Sequence, residues 1–90
     1  MKLRKEIRII AVNQINYLEA QDDYVMIYTG KEKFLKQKTM KYFENHLDPR
    51  EFIRIHRSYI VRTDRIGKIE PYIKGSFVVV LKDETSLPVS

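Results

Sequence analysis

Ninety residues suffice for one domain with a single modest core. A hydrophobic share of 43%, no cysteine and only His46 and His56 exclude disorder, a disulfide framework, a thiolate metal site and a histidine-rich metal site. The 17 Lys and Arg against 12 Asp and Glu leave a net charge of +5, which favours an anionic partner such as nucleic acid without requiring one. No apolar run approaches the ~18 residues that cross a bilayer, and no apolar stretch follows the basic start, so a cytoplasmic protein without membrane contact is expected.

The chain reads as strand-rich with one helix. Ile7 to Ile10 and Ile15 to Glu19 are short strands rich in Ile, Val and Tyr. Asp22-Asp23 breaks the second, and Tyr24 to Thr29 resumes it, with Val25 and Ile27 on one face and Tyr24, Met26 and Tyr28 on the other. Gly30-Lys31 turns the chain into a strand from Lys33 to Gln37. A helix from Thr39 to His46 places Met40, Phe43 and Leu47 on one face and Lys41, Glu44 and Asn45 toward solvent. Thr39 is its N-cap and Asp48-Pro49 its stop. That solvent face has little with which to read bases, so the helix is a brace on a sheet rather than a recognition helix.

Strand character returns at Phe52 to Ile55 and Tyr59 to Val61, separated by His56-Arg57-Ser58. Ile66 to Tyr72 follows, with Pro71 marking an edge or a strand end. Lys74-Gly75-Ser76 turns into Phe77 to Leu81, Asp83-Glu84-Thr85 makes the next turn, and Leu87-Pro88-Val89-Ser90 ends the chain. The fold class is mainly β: small, mostly antiparallel sheets with one short helix, in one domain spanning residues 1–90.

An enzyme is the weakest reading. Three separated glycines build no phosphate loop, and the adjacent Asp22 and Asp23 point to opposite faces of a strand. Ser58 near His56 lacks an orienting acid or a recognisable oxyanion hole. No catalytic residue, metal or cofactor is expected.

The basic segments are more informative. Five lysines stand against Glu32 between Lys31 and Lys41, and Arg50, Arg54, Arg57, Arg62, Arg65 and Lys68 stand against Glu51 and Asp64. Phosphate contacts need long cations on a common surface, and base reading needs a fork such as arginine, which donates twice to guanine. Arg57 lies where the strand pattern falters and can project from a loop. The competing account makes these ordinary solvated charges, with Arg54 and Arg62 paired to neighbouring carboxylates, and charge alone leaves the two level. For His56 the residues favour a half-buried histidine closing a strand end over a DNA contact. Tyr24, directly after the Asp22-Asp23 break, can lie against a sugar-phosphate backbone.

Three stretches in this order resemble the LytTR DNA-binding domains of bacterial response regulators. They are Ile15-Asn16-Tyr17-Leu18-Glu19-Ala20 with Asp23-Tyr24-Val25, then Phe52-Ile53-Arg54-Ile55-His56-Arg57-Ser58-Tyr59-Ile60-Val61, then Leu87-Pro88-Val89-Ser90. The resemblance covers nearly the whole chain. It implies DNA contact through loops set into successive major grooves, with Gln21-Asp22-Asp23-Tyr24 as one element and His56-Arg57-Ser58 as another. The family's third contact lies just after the Leu-Pro-Val-Ser stretch, so a fragment lacking a C-terminal continuation is expected here. Arg62 also departs from the asparagine that many members carry at that position.

The resemblance thus implies the output domain of a transcription regulator, preceded by a receiver domain, binding double-stranded DNA at promoter repeats. The lone domain is expected as a monomer, dimeric on DNA or through the missing receiver domain. The candidate DNA-binding residues are Asp23, Tyr24, His56, Arg57 and Ser58, with Lys36, Lys38, Arg54, Arg62 and Lys74 as weaker candidates for phosphate contacts. The alternatives are a basic β-rich protein-interaction module without sequence-specific DNA binding and, below it, a small RNA-binding domain. The latter commonly stacks bases on an open aromatic sheet, whereas these tyrosines are scattered over several elements.

Overall fold

The structure, a computed structural model, describes residues 12–90. The strand expected at Ile7 to Ile10 lies outside those residues. A short 3-10 turn (Val12–Gln14) leads into β1 (Ile15–Gln21), β2 (Tyr24–Thr29) and β3 (Lys33–Lys36). Helix α1 (Met40–His46) follows, then β4 (Phe52–His56) and β5 (Tyr59–Arg62). A second 3-10 turn (Thr63–Arg65) opens β6 (Ile66–Pro71), β7 (Phe77–Leu81) and β8 (Ser86–Val89). The strands form a five-stranded sheet, β3-β2-β1-β5-β4, and a three-stranded sheet, β6-β7-β8, antiparallel throughout.

The larger sheet is covered on both faces. Ile15, Leu18, Val25, Ile27, Phe52 and Ile60 bury against Met40 of α1, with Phe43 and Leu47 packed alongside. On the other face Ile55 and Val61 meet Val79, Leu81 and Leu87 of the smaller sheet. Leu18 and Val61 are 0% exposed, one on each face of neighbouring strands, so each contributes about 1.5–3 kcal/mol of transfer free energy to its own cluster.

Ile15 and Leu18 are three apart, a spacing that ordinarily puts strand residues on opposite faces. Both join the helix-side core because the register of β1 against β2 shifts between Ile15 and Tyr17, leaving Asn16 as the extra residue. A second shift, between Arg54 and His56, makes Ile55 an extra residue in β4. Ile55 thereby drops into the core between the sheets.

The helix forms as its pattern requires. Thr39 is extended, at φ −93° and ψ 162°, and its hydroxyl accepts from the Tyr42 amide at 3.0 Å. The Leu47 amide donates to the Phe43 carbonyl at 2.8 Å before Asp48-Pro49 ends the run. Pro71 and Pro88 sit on β6 and β8, the edges of the smaller sheet, where a missing amide costs no ladder bond. No helix among the described residues is long and apolar enough to cross a membrane.

Candidate nucleic-acid interface

Antiparallel pairing decides which turns share an end of the larger sheet. Gln21 pairs with Tyr24 across the two-residue turn Asp22-Asp23, and His56 pairs with Tyr59 across Arg57-Ser58. The central strands β1 and β5 align Glu19 with Tyr59, so the two turns emerge side by side. The Ala20 amide donates to the Ser58 carbonyl at 2.9 Å and ties them together. On the outer side of β2, Lys36 aligns with Val25, so Lys36 and the following Lys38 reach the same end.

The first turn is tight. Asp22 takes φ 53°, the left-handed region that Asp tolerates better than most residues. Asp22, Asp23 and Tyr24 are exposed, Tyr24 at 40%. In the second turn Arg57 is exposed while His56 and Ser58 are half-buried. The Ser58 amide donates to His56 Nδ1 at 3.0 Å. An accepting Nδ1 carries no proton, so the neutral ring holds its N–H at Nε2. Lys36 and Lys38 are exposed, and the Lys38 ammonium lies 4.7 Å from the centre of the Tyr42 ring.

Behind the turns, on the face away from α1, lies a cluster that the sequence pattern did not single out. The Glu19 carboxylate accepts from the Tyr28 hydroxyl at 2.9 Å, from the Tyr59 hydroxyl at 3.0 Å and from the Gln21 amide at 3.3 Å. Tyr17 stacks on Tyr28 with centroids 4.4 Å apart, and the His56 ring meets Tyr59 edge-on at 5.7 Å. Burial, and then the hydrogen bond to Glu19, push the Tyr28 phenol up to about 12. The same two causes, in that order, raise Tyr59, and burial followed by the nearby Glu19 charge raises Tyr17. The strand period shows Tyr17, Glu19 and Tyr28 as outward residues, but their convergence depends on long-range pairing.

The remaining candidates separate. Arg54 faces α1, where its guanidinium donates to Glu44 at 2.9 Å and to turn carbonyls. Arg62 ends β5 away from the turns and is 12% exposed. Its guanidinium lies 3.0 Å from Asp64 and 3.9 Å from Glu51, and donates to the Val12 carbonyl at 3.2 Å. Lys74 occupies the β6–β7 turn at φ 41°. That turn lies at the end of the smaller sheet that carries Val89, because Phe77 pairs with Val89. The next residue, Ser90, donates its amide to the Ile55 carbonyl at 2.9 Å, which brings this end beside the β4–β5 turn.

Grooves also open elsewhere among the described residues. A polar one of about 720 Å³ lies between Asn16, Thr29 to Glu32, Arg65 and Lys82-Asp83. It is at the end of the larger sheet opposite the two turns, since Ile15 pairs with Thr29. An apolar one of about 430 Å³ runs between β4 and the smaller sheet, lined by Ile53, Ile55, Ile69, Phe77 and Val89.

The LytTR family model, described as the LytTr DNA-binding domain, matches residues 5–90. The transcriptional regulatory protein YpdB of Escherichia coli K12 is 34% identical over 93 residues, covering 100% of this chain and 38% of that protein. The sensory transduction protein LytT of Bacillus subtilis is 29% identical over 90 residues, covering 100% of this chain and 37% of that protein. The chain thus spans well under half the length of these relatives. A solved LytTr DNA-binding domain of a response regulator from Bacillus cereus superposes with a TM-score of 0.85 at 28% identity, covering 90% of this chain and 74% of that one. With the family model spanning nearly every residue, the chain belongs to the LytTR DNA-binding domain family.

Proposed function

We propose that this chain is the DNA-reading output domain of a bacterial response regulator, working in the cytoplasm on duplex DNA at promoter repeats. One observation carries the reading. The β1–β2 and β4–β5 turns are hydrogen-bonded together at one end of a rigid sheet, with Lys36 and Lys38 beside them. A groove-reading surface needs projecting polar tips held in fixed register, with cations flanking them for phosphates.

Within that surface each residue has a chemistry. Arg57 at the tip donates as a fork to the O6 and N7 of guanine. His56 offers one N–H at Nε2 to a base or phosphate acceptor. Asp23 accepts from a base amino group such as cytosine N4. Tyr24 lies on the sugar-phosphate backbone, and Ser58 serves through its main chain. Lys36, Lys38 and, across the second sheet, Lys74 contact phosphates. Arg54 and Arg62, whose guanidiniums are already engaged within the fold, stand outside this surface. The lone domain is monomeric, and pairing on repeats comes from a receiver domain elsewhere in a longer protein.

Selection of bound sequences from a random duplex library tests this, with retesting against scrambled duplex at about 150 mM salt. The expected outcome is enrichment of a short motif that binds more tightly than the scramble. Salt-sensitive binding without a motif would sink the reading and leave a basic protein-interaction module. Preference for single-stranded RNA would move it to the RNA class.

A further inference from the structure

We infer that Arg54 is a positioning residue that sets the aim of the β4–β5 tip, and so governs base discrimination without touching DNA. The inference rests on the DNA-reading function proposed above and deepens it. Three observations converge on the side chain. Its Nε donates to the His56 carbonyl at 3.3 Å, and its Nη2 donates to the Arg57 carbonyl. Its Nη1 donates to Glu44 of α1 at 2.9 Å, which anchors the guanidinium to the brace helix. One planar fork thus holds two consecutive carbonyls of the turn from behind.

Fixing a carbonyl fixes the plane of the whole peptide unit, because the amide bond does not rotate. The units held here are those following His56 and Arg57. The Arg57 Cα lies between them, so the direction in which its side chain leaves the turn is set. The Ser58 amide belongs to the second unit, and it is this amide that donates to His56 Nδ1. The orientation of the His56 ring is therefore coupled to the same guanidinium. From the front, the Ser58 carbonyl is held by Ala20, so the tip is clamped from both sides. An arginine can do this because its donors diverge from a rigid plane. A lysine keeps the charge but cannot span two carbonyls and a carboxylate at once.

A phosphate-contacting role for Arg54 makes opposite predictions. Losing a phosphate contact weakens all sequences alike and lowers the salt slope by about 1. Losing a positioning clamp lowers discrimination and leaves the salt slope alone. The test compares the unmodified chain, Arg54→Lys, Glu44→Asp, Arg57→Ala and the double variant Arg54→Lys/Arg57→Ala. Each is titrated with the selected and scrambled duplexes over a range of salt, with thermal unfolding as a check on folding. Arg54→Lys should lower the ratio of selected to scrambled affinity about tenfold, the scale of one lost base contact, at an unchanged salt slope. Glu44→Asp, which shortens the anchor at constant charge, should shift the ratio the same way by less. In the double variant the two losses should add only in part, because Arg54 acts through Arg57 and His56.

If the unmodified chain shows no discrimination, the function proposed above is what fails. If it discriminates and Arg54→Lys discriminates equally, or lowers the salt slope, or adds fully to Arg57→Ala, the positioning role is overturned. Should Arg54→Lys fail to fold, Glu44→Asp decides alone, and an unchanged ratio there overturns the role.

Discussion

The hydroxyl of Tyr59 donates to the carboxylate of Glu19, a residue 40 positions earlier in the chain, at 3.0 Å. The bond spans the pairing of the two central strands, and Tyr28 occupies the other carboxylate oxygen at 2.9 Å. Glu19→Ala would leave both hydroxyls half-buried without their acceptor, at a cost of about 1–3 kcal/mol. Urea unfolding measures it. An unchanged midpoint would mean the cluster contributes nothing to holding β1 on β5.

The same cluster makes alkaline stability testable. The folded Tyr28 phenol sits at about 12, above the ordinary 10.0 of a tyrosine, so between the two the unfolded chain loses its proton first. A raised value contributes stability that is complete below the unfolded value and is lost as pH climbs through the folded one. Unfolding free energy should therefore fall between pH ~10 and ~12, and Tyr28→Phe should fall less steeply over that window. Equal slopes for the two proteins would refute the coupling.

Arg57→Ala and Lys36→Ala should fail differently on DNA. The first should lose about 1–3 kcal/mol on the selected duplex and relax preference at one base pair. The second should weaken selected and scrambled duplexes alike and reduce the salt slope by about 1. Fluorescence anisotropy across a salt series reads both. Identical behaviour of the two variants would remove the distinction between the tip and its flank.

Thr39→Ala tests the brace. The Thr39 hydroxyl caps α1 through the Tyr42 amide, and its loss should cost about 1 kcal/mol of stability. Thermal unfolding should show a lower midpoint with no change in DNA discrimination. A loss of discrimination would show that the helix shapes the reading surface through more than the Glu44 anchor.

Much of this fold was legible because it is local. The spacing of Met40, Phe43 and Leu47 placed α1, and the alternation of Val25 and Ile27 oriented β2. The Asp22-Asp23 break and the His56-Arg57-Ser58 falter marked both turns. What escaped depends on pairing across the chain. The extra residue at Asn16, which puts Ile15 and Leu18 on one face, leaves no mark in a period-2 pattern. Arg54, Arg57 and Arg62 look alike as a basic run. Pairing sends the first toward the helix, the second to the tip and the third to the opposite end of β5. Lys36 and Lys31 belong to one lysine-rich stretch, yet only Lys36 reaches the end that carries the turns, because β3 runs alongside β2. The fold class and family were therefore readable, while which cations share an end of the sheet was not.

The pairing of β1 with β5 also sets when that surface comes into being. The meander of β1, β2 and β3 and the hairpin of β4 and β5 need only short loop closures, which take microseconds. Joining Glu19 to Tyr59 must close 40 residues with α1 inside the loop, so topology makes it the slow step. Until it closes, each turn exists on its own hairpin without the Ala20–Ser58 bond that aligns them. Without that closure the two turns are not aligned, and the surface proposed above does not form. On the function proposed above, recognition waits for that long-range closure.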